Sequence, residues 1–188
     1  MSNRSSAGSL TVFGLGLTLA VSLITSPAEG GQGASQAPAE RGKYLVGITG
    51  CHDCHSPKAS GMTPDLTRAL SGRPSTTQVP GPSKDEVHAS LDFTSFAGPW
   101  GQTVASNLTP DAATGIGTRY NEASFITAMR TGKKPNGTQI QPPMPNEVYQ
   151  NMTDDDLKAI WAYLRTIKPI RNAVLAGAPP PAPAGGQK

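Results

Sequence analysis

The chain has 188 residues, with 16 Lys and Arg against 13 Asp and Glu and a formal charge of +3 at neutral pH. Apolar residues make up 36% and aromatic residues 5%, which fits one domain with a thin core plus extensions. So small a positive balance is too weak to imply nucleic acid as a partner, and none is expected; it permits only loose docking on an acidic surface.

The first segment in chain order is an export signal. Arg4 gives a positive start, residues 10–25 (LTVFGLGLTLAVSLIT) are apolar and uncharged, and small residues stand at Ser26 and Ala28. The run falls short of the roughly 20 residues that cross a bilayer comfortably, so a cleaved signal over residues 1–28 is preferred to a retained anchor helix. Removing it takes away Arg4 alone among the charged residues and leaves a charge of +2. Residues 29–38, rich in Gly, Ala, Gln and Pro, read as a linker. A domain over residues 39–176 and a Pro/Ala/Gly tail over 177–188 complete the expected organisation.

Residues 39–49 predict a first helix, stopped by Gly50, with Tyr44, Leu45 and Ile48 on one face. Immediately after it comes CHDCH, which holds both cysteines of the chain. Residues 56–120 are rich in Gly, Pro, Ser and Thr and show no sustained helical period. Only VHASLDF alternates, through Val87, Ala89, Leu91 and Phe93, which predicts a short strand or hairpin. Asn121 caps a second helix over residues 121–131, with Phe125, Ile126 and Met129 on one face and Gly132 as its stop. The third helix, TDDDLKAIWAYLRTI, is the clearest. Thr153 and Asp156 resemble a capping box, and Leu157, Ile160, Trp161, Leu164 and Ile167 repeat at helical spacing.

Cys-x-x-Cys-His is the attachment pattern of a c-type haem. Two thiols one helical turn apart reach the two vinyl groups of one macrocycle, and the imidazole that follows reaches its iron. Cys51 and Cys54 are thus the expected thioether anchors and His55 the proximal ligand. The competing readings are weaker. A structural zinc site needs four donors, to be drawn from Cys51, Cys54, His52, His55 and His88. A redox dithiol needs a βαβ setting that this chain lacks. A disulfide between residues three apart staples almost nothing. His52 is read as a loop residue and His88 as structural or exposed.

A sixth ligand distinguishes an electron carrier from an open-site haem protein. Of the five methionines, Met1 leaves with the signal, Met129 lies on an apolar helix face, Met152 packs before a cap, and Met62 is too near His55 in sequence to reach the opposite face. Met144 remains, in the stiff segment IQPPMPNEVY between two helices. Phe125, Ile126, Leu157, Ile160 and Leu164 are candidates for an apolar wall around the cofactor. Arg130, Lys133 and Lys134 are read as a solvated helix end in preference to a docking patch.

GKYLVGITGCHDCHSPK, PPMPNEVYQNMTDDDLKAIWAYLRTIKPI and, more loosely, GPWGQTVASNLTPDAATGIGTRYNEASFITAMRTG resemble the class I c-type cytochromes. The likeness spans residues 41–172 and is nearest to bacterial periplasmic cytochromes and to haem domains of cytochrome subunits that serve dehydrogenases. It implies an all-α, cytochrome c-like fold of about three main helices around one covalently bound haem c. In that fold the first and last helices cross beside the cofactor, so that Gly42 and Tyr44 meet the face carrying Trp161 and Leu164. The long irregular segment 56–120 departs from the pattern and has room for a short hairpin, a haem-edge cover, a propionate contact through Trp100 or Asn107, or a partner-binding surface. The likeness also implies His55 and Met144 as iron ligands and a periplasmic location. The implied function is that of an exported electron carrier, not an enzyme, with transient redox protein partners and no small-molecule substrate. The alternative is an electron-transfer subunit of a membrane-bound dehydrogenase or oxidase; an open-site haem enzyme or sensor stands further off.

Overall fold

The computed structural model describes residues 37–175 and 177. The expected signal at 1–28, most of the linker and residues 178–188 of the tail lie outside them. Among the described residues the chain forms α1 (Pro38–Ile48), α2 (Cys51–His55), β1 (Lys58–Ser60) and β2 (Thr63–Pro64). It continues with β3 (His88–Ala89), β4 (Ser95–Gly98), β5 (Gly101–Val104), α3 (Glu122–Thr131), α4 (Asn146–Tyr149) and α5 (Asp154–Thr166).

The three expected helices are present as α1, α3 and α5, but the molecule is not all-α. Two antiparallel sheets, β1–β2 and β3–β4–β5, make it a mixed α and β structure. The strands arise within residues 56–120 and escape the eye because of their composition. The main hairpin pairs Ser95 with Val104 and Gly98 with Gly101 around a Pro99–Trp100 turn. All of Ser95–Gly98 (SFAG) is buried, so the strand has no alternation of apolar and polar residues to display. The alternation that was visible misleads: only His88 and Ala89 are strand there, and Leu91, in the following turn, is 97% exposed.

The core lies between α1, α3 and α5. Leu45, Val46, Leu70, Ile116, Phe125, Ala159, Ile160, Trp161 and Leu164 form one buried cluster. The Phe125 and Trp161 rings meet at 5.6 Å between centroids, joining α3 to α5. Gly42 allows the α1–α5 crossing, because a Cβ there would collide with the Ala159 carbonyl and Tyr163 Cβ. Tyr44 does not join this contact. Gly42, Leu45 and Val46 form the i, i+3, i+4 stripe that faces inward, which turns Tyr44 (52% exposed) and Ile48 (61% exposed) outward.

Helix ends follow their local chemistry. Asn121 and Ser124 form a reciprocal capping box on α3, and Gly132 ends it at φ 69°. On α5, Thr153 accepts from the Asp156 N–H, but the Asp156 carboxylate is taken by Arg41 of α1 at 3.0 Å and does not close the box. Gly50, at φ 73°, breaks the path between α1 and α2 and so gives the CHDCH turn its own direction.

Candidate functional site

Cys51, Cys54 and His55 share the single short helix α2. Both cysteines are free and half-buried, and Cys51 packs against the core cluster. The Cys51 Sγ lies 3.4 Å from the Thr49 hydroxyl. Burial pushes the Cys51 thiol up, against a smaller opposing effect of Thr49; burial also pushes Cys54 up, and Asp53 adds to it. This environment disfavours thiolates, and a thioether, which carries no charge, sits in it without that penalty. The end of α2 is capped by Lys58, whose Nζ donates to the carbonyls of Asp53 (2.8 Å) and Ser56 (2.9 Å).

His55 is held from two sides. Its Nδ1 lies 2.8 Å from the Ser106 carbonyl, which can only accept, so Nδ1 carries the proton and the Nε2 lone pair is left for a metal. Its own carbonyl accepts from Gly72 N–H at 2.8 Å. Burial pushes the imidazole's pKa down, outweighing the Ser106 bond, so the neutral ring is favoured. Leu70 at φ 59° and Gly72 at φ 80° bend the chain sharply to make this cradle. A Cβ on Gly72 would lie 2.7 Å from Ala105 O, Ser106 C and Asn107 N.

Met144 lies half-buried in the loop between α3 and α4. Its carbonyl accepts from Asn146 N–H, and the Asn146 Nδ2 donates to Met129 O at 2.6 Å at the end of α3. Five residues on, the buried Tyr149 donates its hydroxyl to Thr49 O at 2.7 Å, two residues before Cys51. Neighbours of Met144 thus fasten its loop to α3 and to the entrance of α2.

His52 stands in α2 against Ser56 Oγ (2.8 Å), and His88 is an exposed partner of Glu86. Among the described residues no group of three or more His, Cys, Asp and Glu is assembled to hold a metal ion, so a four-donor zinc set is not formed there. Phe125, Ile126, Ile160 and Leu164 belong to or pack on the main cluster, and Leu157 is fully buried. Arg130 is engaged with Gln150 O and Asp154, pinning α3 to the start of α5. The donors of Trp100 and Asn107 are also engaged internally, with Thr103 for the first and with Thr114 and Ile170 for the second. Sequence reasoning missed the Ser106 carbonyl, Gly72, Lys58 and Tyr149. A backbone carbonyl has no letter, although the Asn-x-Thr-Pro-Asp stretch beside it marks a sharp turn.

The donor set fits haem c: two free thiols one turn apart and a neutral imidazole with its outer nitrogen available. Comparison with known proteins points the same way. Over 158 residues, 84% of its length, the chain is 30% identical to the gluconate 2-dehydrogenase cytochrome c subunit of Pantoea cypripedii, covering 30% of that protein. It is 29% identical over 140 residues to the alcohol dehydrogenase (quinone) cytochrome c subunit of Gluconobacter oxydans, covering 74% of this chain and 23% of that one. A diheme cytochrome c-type protein of Cereibacter sphaeroides is 29% identical over 136 residues, 72% of this chain and 38% of its own. The chain therefore spans well under half the length of these curated relatives. No protein-family model matches it. The relatives support a c-type cytochrome, with haem and electron transfer as the chemistry of its site.

Proposed function

We propose that this chain is an electron-transferring haem c module that works as a subunit of a dehydrogenase complex and does not diffuse as a free carrier. It carries one haem, because its two cysteines provide one pair of anchors. Cys51 and Cys54 hold the group, His55 binds the iron on one side and Met144 on the other. Residues 1–28 direct export to the periplasm, 29–38 link, 39–176 form the haem domain, and 177–188 are a tail.

One observation carries this reading: the His55 Nδ1 proton is given to the Ser106 carbonyl, which fixes the tautomer and aims the metal-binding nitrogen away from the backbone. When bound, the haem supplies a one-electron ferric/ferrous couple. The chain's own residues do the rest. Gly50 and Lys58 set the two ends of the attachment turn, Ser106 and Gly72 orient the imidazole, and the core cluster keeps water from the inner wall. No substrate bond changes in this chain; substrate oxidation belongs to the partner. The dehydrogenase setting is favoured over a free carrier because dehydrogenase cytochrome subunits are among the relatives aligned over most of the chain.

The test is to express the full chain in a host that matures c-type cytochromes, then record a pyridine haemochrome spectrum and an intact mass. One haem added through two thioethers is expected, and a colourless protein of unmodified mass sinks the proposal. Membranes from the native host, washed with salt, distinguish the two settings. Retention with a dehydrogenase activity fits the subunit, and full release into the soluble fraction fits the free carrier.

A further inference from the structure

Apart from the Ser106 carbonyl, the stretch SNLTPD has no role in the reading above, yet it contains an extensively bonded side chain near the site. Asn107 is 1% exposed. Its Oδ1 accepts from Thr109 N (3.0 Å) and Thr109 Oγ1 (2.7 Å). Its Nδ2 donates to Ile170 O (2.8 Å) and Thr114 Oγ1 (3.1 Å). A backbone N–H only donates and a backbone carbonyl only accepts, so the amide orientation is unambiguous. Asn107 directly follows Ser106, and the peptide between them carries the carbonyl that receives the His55 proton.

We propose that Asn107 is a positioning residue for the proximal ligand. Four hydrogen bonds fix its side chain and hence its backbone, so the Ser106–Asn107 peptide plane cannot rock. The preceding residue is held as well: Ala105 N–H donates to Thr94 O (2.8 Å) and Ala105 O accepts from Arg73 N–H (3.0 Å). The segment after α5 closes the network. Ile170 N–H donates to Thr109 Oγ1, and Asn172 N–H to Thr114 Oγ1. Asn172 Nδ2 donates to the carbonyls of Ser71 and Arg73, which flank Gly72. The end of the haem domain therefore governs the acceptor behind His55. A firmly placed acceptor makes the imidazole a better electron donor and favours the ferric iron; a loosened one favours the ferrous form.

This inference rests on His55 being the ligand of an attached haem. The experiment is an equilibrium redox titration of the holoprotein for wild type, Asn107→Ala and Thr114→Val, with a haemochrome spectrum and a thermal melt on each. Thr114→Val removes one acceptor of Asn107 and keeps the side-chain volume, so it decides the matter if Asn107→Ala does not fold. In Asn107→Ala the ferrous:ferric ratio at fixed poise is expected to rise about threefold to tenfold, tenfold being about 59 mV for one electron. In Thr114→Val a smaller rise of the same sign is expected. Variants that melt earlier at an unchanged potential overturn the proposal, since Asn107 is then only structural. Attached haem with an unmoved potential overturns this inference alone, whereas a wild type without attached haem overturns the functional reading beneath it as well.

Discussion

The two sides of the site are built differently. Behind His55, the chain segments around Gly72, Ser106 and Asn172 interlock through backbone groups, the fully bonded amide of Asn107 and the Asn172 Nδ2. Around Met144 the loop runs over exposed prolines, Pro142, Pro143 and Pro145, and is fastened through the neighbouring Asn146 and Tyr149. One side is over-determined by many hydrogen bonds. The other is tied at a few points, so the Met144 side chain can be removed while the protein stands.

The comparison breaks hardest at Gly72. Alanine there must adopt a left-handed backbone and press on the Ser106 peptide, and the expected loss is about 2–5 kcal/mol in urea unfolding of the holoprotein. A wild-type midpoint would show that the cradle yields. Met144→Ala tests the other side: folding and haem attachment are expected to persist, while the ferric spectrum loses its Met–iron band and the ferrous protein binds carbon monoxide. An unchanged spectrum would remove Met144 from the ligand set.

Tyr149→Phe sharpens the contrast. It leaves the Thr49 carbonyl without its partner, for an expected cost of about 1–2 kcal/mol, and it should weaken the Met–iron band without abolishing it. It also has a pH signature. Burial, helped by the nearby Cys51, Cys54 and Asp53, pushes the Tyr149 hydroxyl up to about 12. A raised phenol favours the neutral form in the fold. Its contribution is therefore complete below the ordinary value near 10 and is lost as pH climbs through about 12. Alkaline unfolding of wild type should be steeper over this window than that of Tyr149→Phe, and equal slopes would refute the assignment. The smallest effect is expected at Arg41, whose half-exposed pair with Asp156 should cost under about 1 kcal/mol when Arg41→Ala removes it.

What could be read in the sequence was local. Cys51, Cys54 and His55 lie within five residues, and α3 and α5 announce themselves through caps and period. What could not be read was non-local or written in the backbone. The orientation of His55 depends on a carbonyl 51 residues away. The strand Ser95–Gly98 is buried along its whole length, its serine and glycine as well as Phe96 and Ala97, so it lacks the polar alternation that marks a half-buried strand. Tyr44 and Ile48 seemed to belong with Leu45 because a short amphipathic helix offers two neighbouring stripes. Only the close approach at Gly42 decides which of them meets α5.

The partners of the site's fastenings lie far apart along the chain. Tyr149 reaches Thr49 across 100 residues, and Asn172 reaches Ser71 across 101. Closing such long loops is entropically costly before any contact rewards it, and chains dominated by distant pairings fold slowly. The attachment turn, by contrast, needs only its own five residues to form. The CHDCH turn can therefore form well before the contacts of Tyr149 and Asn172 that enclose it, because those wait for residues about 100 positions further along.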